Sequence, residues 1–275
     1  MAETDNQASN VARQARAIWE RNSAFWDNQI GEGNSFHLEL IRPAMEGLLA
    51  PRPGETVLDL ACGNGVYARH LADIGCEVVA CDFSRSFIEL ARQREAGVRR
   101  VHPIDYRVID AADPEQLATL GQDQFDAVVC NMSIMDMVDI NPLFERVPRM
   151  MKSHGRFVFT IMHPCFNNVD AVKVAELDER TDPPQVRHAI RVSAYLDIPP
   201  RKGLGIAGQP ELHYYFHRPL SEILNLAFDH GMVMDGILEP AFPDTGSNDH
   251  HLSWSNLSGI PPVLAARLRI AARNR

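Results

Sequence analysis

The chain lacks a basic excess, a long apolar run and a regular set of cysteines. Its 27 Lys and Arg stand against 36 Asp and Glu, a net charge of −9 over 275 residues. An acidic balance disfavours phosphate polymers and anionic membranes, although a local basic patch can survive within it. No run of 18 apolar residues occurs, so no membrane span is expected. The first ten residues are polar and acidic, without the apolar heart of a secretory leader, and a soluble cytoplasmic protein is expected. The five cysteines, Cys62, Cys76, Cys81, Cys130 and Cys165, are an odd number whose spacing fits no zinc motif. Most fall in apolar runs, where a reduced thiol behaves as a small hydrophobe. What the chain does have is 45% apolar residues, enough core for one α/β domain with an insertion.

Apolar spacing predicts helices over residues 11–26 and 36–49, parted by Gly31-Glu32-Gly33-Asn34. From residue 55 strands and helices alternate. Strands are expected at 56–61, 77–81, 106–109, 125–130 and 157–162. Helices are expected at 66–74, from a Ser86/Glu89 capping box to Gly97, after Asp113-Pro114, and from Asn141-Pro142 to about Lys152 with a kink at Pro148. Such alternation implies an α/β fold: a doubly wound, mostly parallel, seven-stranded sheet with helices on both faces. Residues 164–211 break the rhythm with Pro164, Pro183, Pro184, Pro199, Pro200 and Pro210, and a stretch of this length suggests a lid. A short strand over 213–217, a helix over 219–230 and a strand over 232–238 follow. Residues 263–270 have helical propensity, but the topology asks for a closing strand, which is the reading adopted. The expected divisions are an N-terminal helical cap (1–54), a cofactor-binding core (55–163), a lid insertion (164–218) and the remainder of the core (219–275).

The most informative stretch is VLDLACGNG, residues 57–65. A strand runs into Gly63-Asn64-Gly65 and a helix starts at once. Glycine lets the backbone turn sharply and approach a ligand, and the helix start offers free N–H groups. Asp82, 19 residues beyond Gly63, ends the second strand, where a carboxylate can accept both hydroxyls of a ribose. Asp110-Ala111 ends the third strand and Asn131-Met132 the fourth. Ligands of open α/β sheets lie beyond the carboxyl ends of strands, and four polar signals at four successive ends fit one nucleoside. Taken singly, each has an ordinary reading as a turn or a helix cap.

Residues 55–162 resemble the core of class I S-adenosylmethionine-dependent methyltransferases of the small-molecule subgroup. VLDLACGNG is similar to their first motif, CDFS to the second, IDAAD to the third and FDAVVCN to the fourth. The resemblance implies S-adenosylmethionine as cofactor and S-adenosylhomocysteine as product. It implies that Asp59, Ala61, Gly63 and Gly65 surround the methionine end, that Asp82 holds the ribose with Phe83 beside the adenine, that Asp110 and Ala111 meet the adenine, and that Asn131 and Met132 line the methionine side. Three features depart from the family pattern: Ala61 in place of the first glycine, Ser153-His154-Gly155 in place of a Pro-Gly-Gly turn, and Pro148 within a helix.

Two other functions compete. Gly63-x-Gly65-x-x-Ala68 with Asp82 also fits a loose nicotinamide-dinucleotide fingerprint. A cofactor-binding subunit without catalysis would share the whole motif set. Base methylation of nucleic acid is disfavoured, because Asn131-Met-Ser-Ile stands where an Asn/Asp-Pro-Pro-aromatic motif would be needed.

Methyl transfer from a sulfonium needs alignment of the acceptor and exclusion of water, with a base for a hydroxyl or acidic carbon. O- or C-methylation of a small molecule is therefore favoured. His163, directly after the fifth strand, is the first candidate for the base, and Asp136 a weaker one. Alternation puts His213, Tyr215 and His217 on one strand face that could line the acceptor pocket. Trp26 and His37, with Phe25 and Asn34, could close over the site from the N-terminal segment. Ordinary packing is the plainer reading for Phe25 and Trp26. No metal is expected, His250-His251 included. Acceptor identity is not legible, and the sequence leaves room for a homodimer.

Overall fold

A computed structural model describes residues 2–243 and 252–272; His250-His251 lie outside them. Seven strands form one sheet: β1 (Thr56–Leu60), β2 (Glu77–Asp82), β3 (Asp105–Val108), β4 (Phe125–Asn131), β5 (Met151–Met162), β10 (Met232–Leu238) and β11 (Val263–Ile270). Their spatial order is β10-β11-β5-β4-β1-β2-β3. β1, β2, β3, β4 and β5 pair in parallel, whereas β11 runs antiparallel to both β5 and β10. This is the doubly wound sheet expected from the alternation, and residues 263–270 are the closing strand.

Alternation sorts the side chains into two cores. On one face Leu58, Leu60, Val128, Cys130, Phe157 and Phe159 pack with Leu117, Phe144 and Ile223 of helices α5 (Pro114–Ala118), α6 (Asn141–Met150) and α7 (Leu220–Asp229). On the other face Val57, Ala127, Val129 and Val158 pack with Met45 and Leu49 of α2 (Arg42–Leu49), Tyr67 and Leu71 of α3 (Val66–Ile74), and Ile88 and Ala91 of α4 (Arg85–Arg94). β11 contributes to both, Val263 and Ala265 to the second and Leu264, Ala266 and Leu268 to the first. A strand buried on both faces shows no apolar–polar alternation, which is why its sequence also reads as helix.

Several boundaries differ from the sequence reading. Helix α1 spans Ala2–Ile30 rather than 11–26, and a π-helical segment at Phe36–Ile41 precedes α2. α4 is capped by Ser84, whose Oγ accepts the Phe87 N–H at 3.1 Å. Ser86 instead donates to Glu20 of α1 at 2.7 Å, so the Ser86/Glu89 box does not form. α6 stops two residues past Pro148, and β5 begins at once at Met151, where Lys152 and His154 converge on the Asp126 carboxylate. Asp113 caps α5 as expected, accepting from the N–H groups of Glu115 and Gln116.

Between β5 and α7 the chain is not irregular. It forms an antiparallel hairpin of β6 (Val172–Asp178) with β7 (Gln185–Arg191), and a second of β8 (Arg201–Gly203) with β9 (His213–Tyr215). The prolines sit in the connections, where a missing N–H costs no ladder bond. Among the described residues no helix is long and apolar enough to cross a membrane.

Ala61, which stands where the family pattern has glycine, has φ = 56°. A side chain in that left-handed region costs about 1–2 kcal/mol, partly offset by the lower unfolded-state entropy of alanine. Ala61→Gly is therefore expected to stabilise the protein by about 0.5–1 kcal/mol, seen as a rise of about 2 °C in thermal midpoint. A fall in midpoint would show that the turn needs the methyl group.

Candidate active site

The winding of the sheet changes direction between β1 and β4, and a crevice opens there beyond the strand ends. β1 delivers the chain into the glycine turn, where Gly63 has φ = 54° and Gly65 φ = 75°. At Gly65 a Cβ would also lie 2.5 Å from the Tyr106 hydroxyl, so glycine is required there twice over. Asp82, at the end of β2, joins the two neighbouring turns. Its Oδ2 accepts the Gly63 N–H at 2.9 Å and its Oδ1 the Ser84 N–H at 2.9 Å. Burial raises its pKa to about 6, against the pull of these two donors.

Beside it, Phe83, Val108, Asp110 and Gln116 line an open cleft of about 400 Å³, roofed by Arg16, Ala17 and Glu20 of α1. Asp110 Oδ1 accepts the Ala112 N–H at 2.9 Å. Its Oδ2 meets the Arg16 guanidinium at 2.6 Å, an ion pair without hydrogen-bond alignment. Ala111 is buried in the core and offers the cleft only its backbone. The roof continues along α1: Glu20 accepts from Ser86, and Asp27 accepts from Asn64 of the glycine turn at 3.0 Å and from Arg94 at 2.5 Å.

On the other side of the turn the Asp59 carboxyl is 1% exposed, and neither oxygen has a hydrogen-bond partner. Burial, then the charge of Asp82, raises its pKa to about 8, with only a weak opposing pull from the Ala68 N–H. At the end of β4, Asn131 Oδ1 accepts the Thr160 hydroxyl at 2.7 Å, and Met132, with φ = 51°, donates its N–H to the Thr160 carbonyl at 2.9 Å. Non-glycine residues held in the left-handed region at the ends of both β1 and β4 mark a rim whose shape is over-determined by its surroundings.

The acceptor candidates divide. Trp26, His213 and Tyr215 come together: the His213 ring centroid lies 5.8 Å from Trp26, 4.4 Å from Tyr215 and 4.5 Å from Trp19. His217 bonds to the Tyr195 carbonyl and, with Tyr215, Met135 and Met162, lines a small cavity of about 30 Å³. His37 is buried away from this group. Burial, then the charges of Arg42 and His70, lowers its pKa to about 4. His163 is 1% exposed, and both ring nitrogens are engaged: Nδ1 accepts the Cys165 N–H at 3.1 Å and Nε2 faces Glu239 at 2.8 Å. With Nδ1 accepting from Cys165 and Nε2 turned to Glu239, neither ring nitrogen is open to a substrate. Arg16, Glu20, Trp19 and Gln209 were not foreseen. Arg16, Trp19 and Glu20 lie three and four residues apart on α1, a helical-face signal, whereas Gln209, in a Gly-Pro loop, carries no signal of its own.

Residues 58–159 match the family model of the methyltransferase domain. A demethylmenaquinone methyltransferase of Clavibacter sepedonicus is 33% identical over 148 residues, which are 53% of this chain and 56% of that protein. A ubiquinone biosynthesis O-methyltransferase of Alkalilimnicola ehrlichii is 26% identical, covering 58% of this chain and 64% of that protein. The chain thus spans less than two thirds of the length of these relatives. Among solved structures, an S-adenosylmethionine-dependent methyltransferase from Mesorhizobium loti superposes with a TM-score of 0.63 at 22% identity, covering 82% of this chain and 96% of that one. Residues 58–159 are thus similar to a methyltransferase domain, and the fold of the chain is that of the solved S-adenosylmethionine-dependent methyltransferase.

The unpartnered Asp59 has a consequence for stability. The folded protein keeps this carboxyl protonated up to about pH 8, while the unfolded chain releases the proton near pH 4. Between those values the unfolded state is favoured progressively, by at most about 1.4 kcal/mol per pH unit. Asp59→Asn is expected to raise the thermal midpoint of the ligand-free protein more at pH 8 than at pH 5. An equal effect at both values would mean that Asp59 is already ionised in the fold.

Proposed function

We propose that the chain transfers a methyl group from S-adenosylmethionine to a small-molecule acceptor, at oxygen or carbon. The observation that carries this reading is Asp82, buried at the β2 end and bonded to both the Gly63 and Ser84 N–H groups, next to a cleft that Phe83 and Asp110 line. The residues fit the group. Asp82 would hold the ribose hydroxyls. Phe83, Asp110 and the Ala111 backbone would take the adenine. Asp59, Ala61, Gly63, Gly65, Asn131 and Met132 would surround the methionine end. The orphaned Asp59 carboxyl is what a cationic ligand beside it would satisfy.

When bound, the cofactor supplies a methyl carbon activated on a positively charged sulfur. The chain's task is to orient the acceptor and keep water out. α1 roofs the cleft through Arg16 and Glu20, and Trp26, His213, Tyr215 and His217 would form the acceptor side. His163 acts here by position, tying β5 to Glu239, rather than as the base. The similarity to relatives that include a ubiquinone biosynthesis O-methyltransferase supports a small acceptor. The antiparallel β11 argues against the dinucleotide alternative, whose strand order 3-2-1-4-5-6 has a parallel strand in that place. The acidic balance supports an acceptor other than nucleic acid. We place the protein in the cytoplasm and allow it to pair as a homodimer.

Titration calorimetry with S-adenosylmethionine and S-adenosylhomocysteine tests the reading. Both are expected to bind, and Asp82→Ala to weaken them about 10- to 100-fold, the loss of charge-assisted hydrogen bonds. Absence of heat with either nucleoside would sink it, and binding without turnover would favour a non-catalytic subunit.

A further inference from the structure

The acceptor side contains a hydrogen-bond chain whose polarity can be worked out atom by atom. Gln209 is 7% exposed. Its Oε1 receives the Trp26 indole N–H at 3.1 Å and the Gly205 N–H at 3.3 Å. Both partners are donors only, so this end of the amide must be the oxygen. The NH₂ end then donates one hydrogen to the Glu211 carbonyl and the other to Nδ1 of His213, at 2.9 Å. The His213 Nδ1 lone pair is thereby used, and the ring proton resides on Nε2. Burial lowers the His213 pKa to about 4, so the ring is neutral at physiological pH. Trp19, Trp26 and Tyr215 fix its plane.

His213 Nε2 lies 3.9 Å from Asp136 Oδ1, too far for a hydrogen bond between them. That oxygen is buried and has no hydrogen-bond partner. Asp136 ends a 3₁₀ turn, Ile134–Asp136, just past β4. The turn is held by the Phe216 N–H on the Met135 carbonyl at 2.7 Å, and by Arg218 on the carbonyls of Ile134, Met137 and Val138. Donor and acceptor, each held by its own scaffold, are near enough that an oxygen set to one side of the line between them can bond to both. Burial, then the charge of Asp82, raises the Asp136 pKa well above the usual carboxylate range; a positively charged methyl donor seated beside it would favour the ionised form, which is then a strong base.

Building on the methyl-transfer reading, we propose that Asp136 and His213 hold the acceptor atom between them, and that this atom is a hydroxyl oxygen. Only a hydroxyl or a neutral amine both accepts from Nε2–H and donates to a carboxylate. An amine enters from water as ammonium, which has no lone pair for Nε2–H. A carboxylate cannot donate, and the charges of Asp82 and an ionised Asp136 repel it. A carbon acid makes neither bond well. Met135, Ile161 and Tyr215, which line a small apolar cavity alongside, would meet the body of the acceptor. In the step the hydroxyl proton passes to Asp136 Oδ1. The oxygen–carbon bond forms as the carbon–sulfur bond of the donor breaks, and the electron pair stays on sulfur. Methyl ether, neutral thioether and protonated Asp136 result, and Asp136 returns its proton to solvent. His213 keeps its proton throughout, and Gln209 is the positioning residue that fixes its tautomer.

Nitrogen-15 NMR of protein labelled in its histidine rings reads the tautomer directly. His213 is expected to be neutral with the proton on Nε2, and Gln209→Glu, which offers no donor, to move it to Nδ1. The opposite tautomer or an imidazolium in the unmodified protein overturns the proposal. The second arm measures S-adenosylhomocysteine release with catechol, phenols and aliphatic alcohols, set against primary amines and 1,3-diketones. Hydroxyl compounds are expected to turn over, and Asp136→Asn to lower kcat at least about 100-fold with S-adenosylhomocysteine affinity unchanged. Turnover of amines or diketones alone, or an unchanged kcat in Asp136→Asn, overturns the hydroxyl assignment and leaves methyl transfer standing. If S-adenosylhomocysteine fails to bind the unmodified protein, methyl transfer itself falls, and this assignment with it.

Discussion

The bridge that Asp82 makes between two backbone turns is the constraint on which the rest of the rim depends. A carboxylate that accepts the N–H of Gly63 and that of Ser84 fixes the β1 turn relative to the start of α4. Everything else in the crevice is placed from there. α3 starts at the end of the first turn, α4 at the end of the second, and α1 is bonded to both through Asn64 and Ser86. The bridge is also costly. Three acids, Asp59, Asp82 and Asp136, lie buried within reach of one another's charge, and burial raises each above its ordinary pKa. A fold that tolerates such a concentration of acid at one rim gives up stability for a site ready to receive positive charge.

Much of this was legible in the sequence because the core elements obey local rules. VLDLACGNG announces a strand, a turn that needs positive φ and a helix. The acids at 82 and 110 follow at the spacing of βα units. The closing strand at 263–270 could be read only from topology, because a strand buried on both faces has no apolar–polar rhythm. The Ser86/Glu89 box misled for a related reason. Ser84 satisfies the same cap two residues earlier, and Ser86 is taken by Glu20, a partner 66 residues away that no local rule can find.

The acceptor side was legible in composition and not in arrangement. His213, Tyr215 and Trp26 do meet, but the residue that gives them a direction is Gln209, silent in a loop of glycines and prolines. His163 looked like a base because it follows β5. Its two ring nitrogens are instead absorbed by Cys165 and Glu239, the second of which lies 76 residues later. Long-range partners of this kind decide whether a titratable side chain is chemically free, and spacing along one chain says nothing of them.

The reversal of β11 has a consequence for how such a protein can diversify. Because that strand alone runs against the others, its entrance, rather than its exit, comes to the rim: Pro262 accepts from His163 and from Asn167, where β5 leaves the sheet. Segments leading into β11 therefore meet those leaving β5 and those arriving from α1, as the contacts of Phe242 with Phe36 and of Trp254 with Lys173 also record. Three stretches far apart in the chain thus come into contact outside the seven-stranded sheet. Insertion or exchange can alter these stretches while the glycine turn and the Asp82 bridge stay as they are.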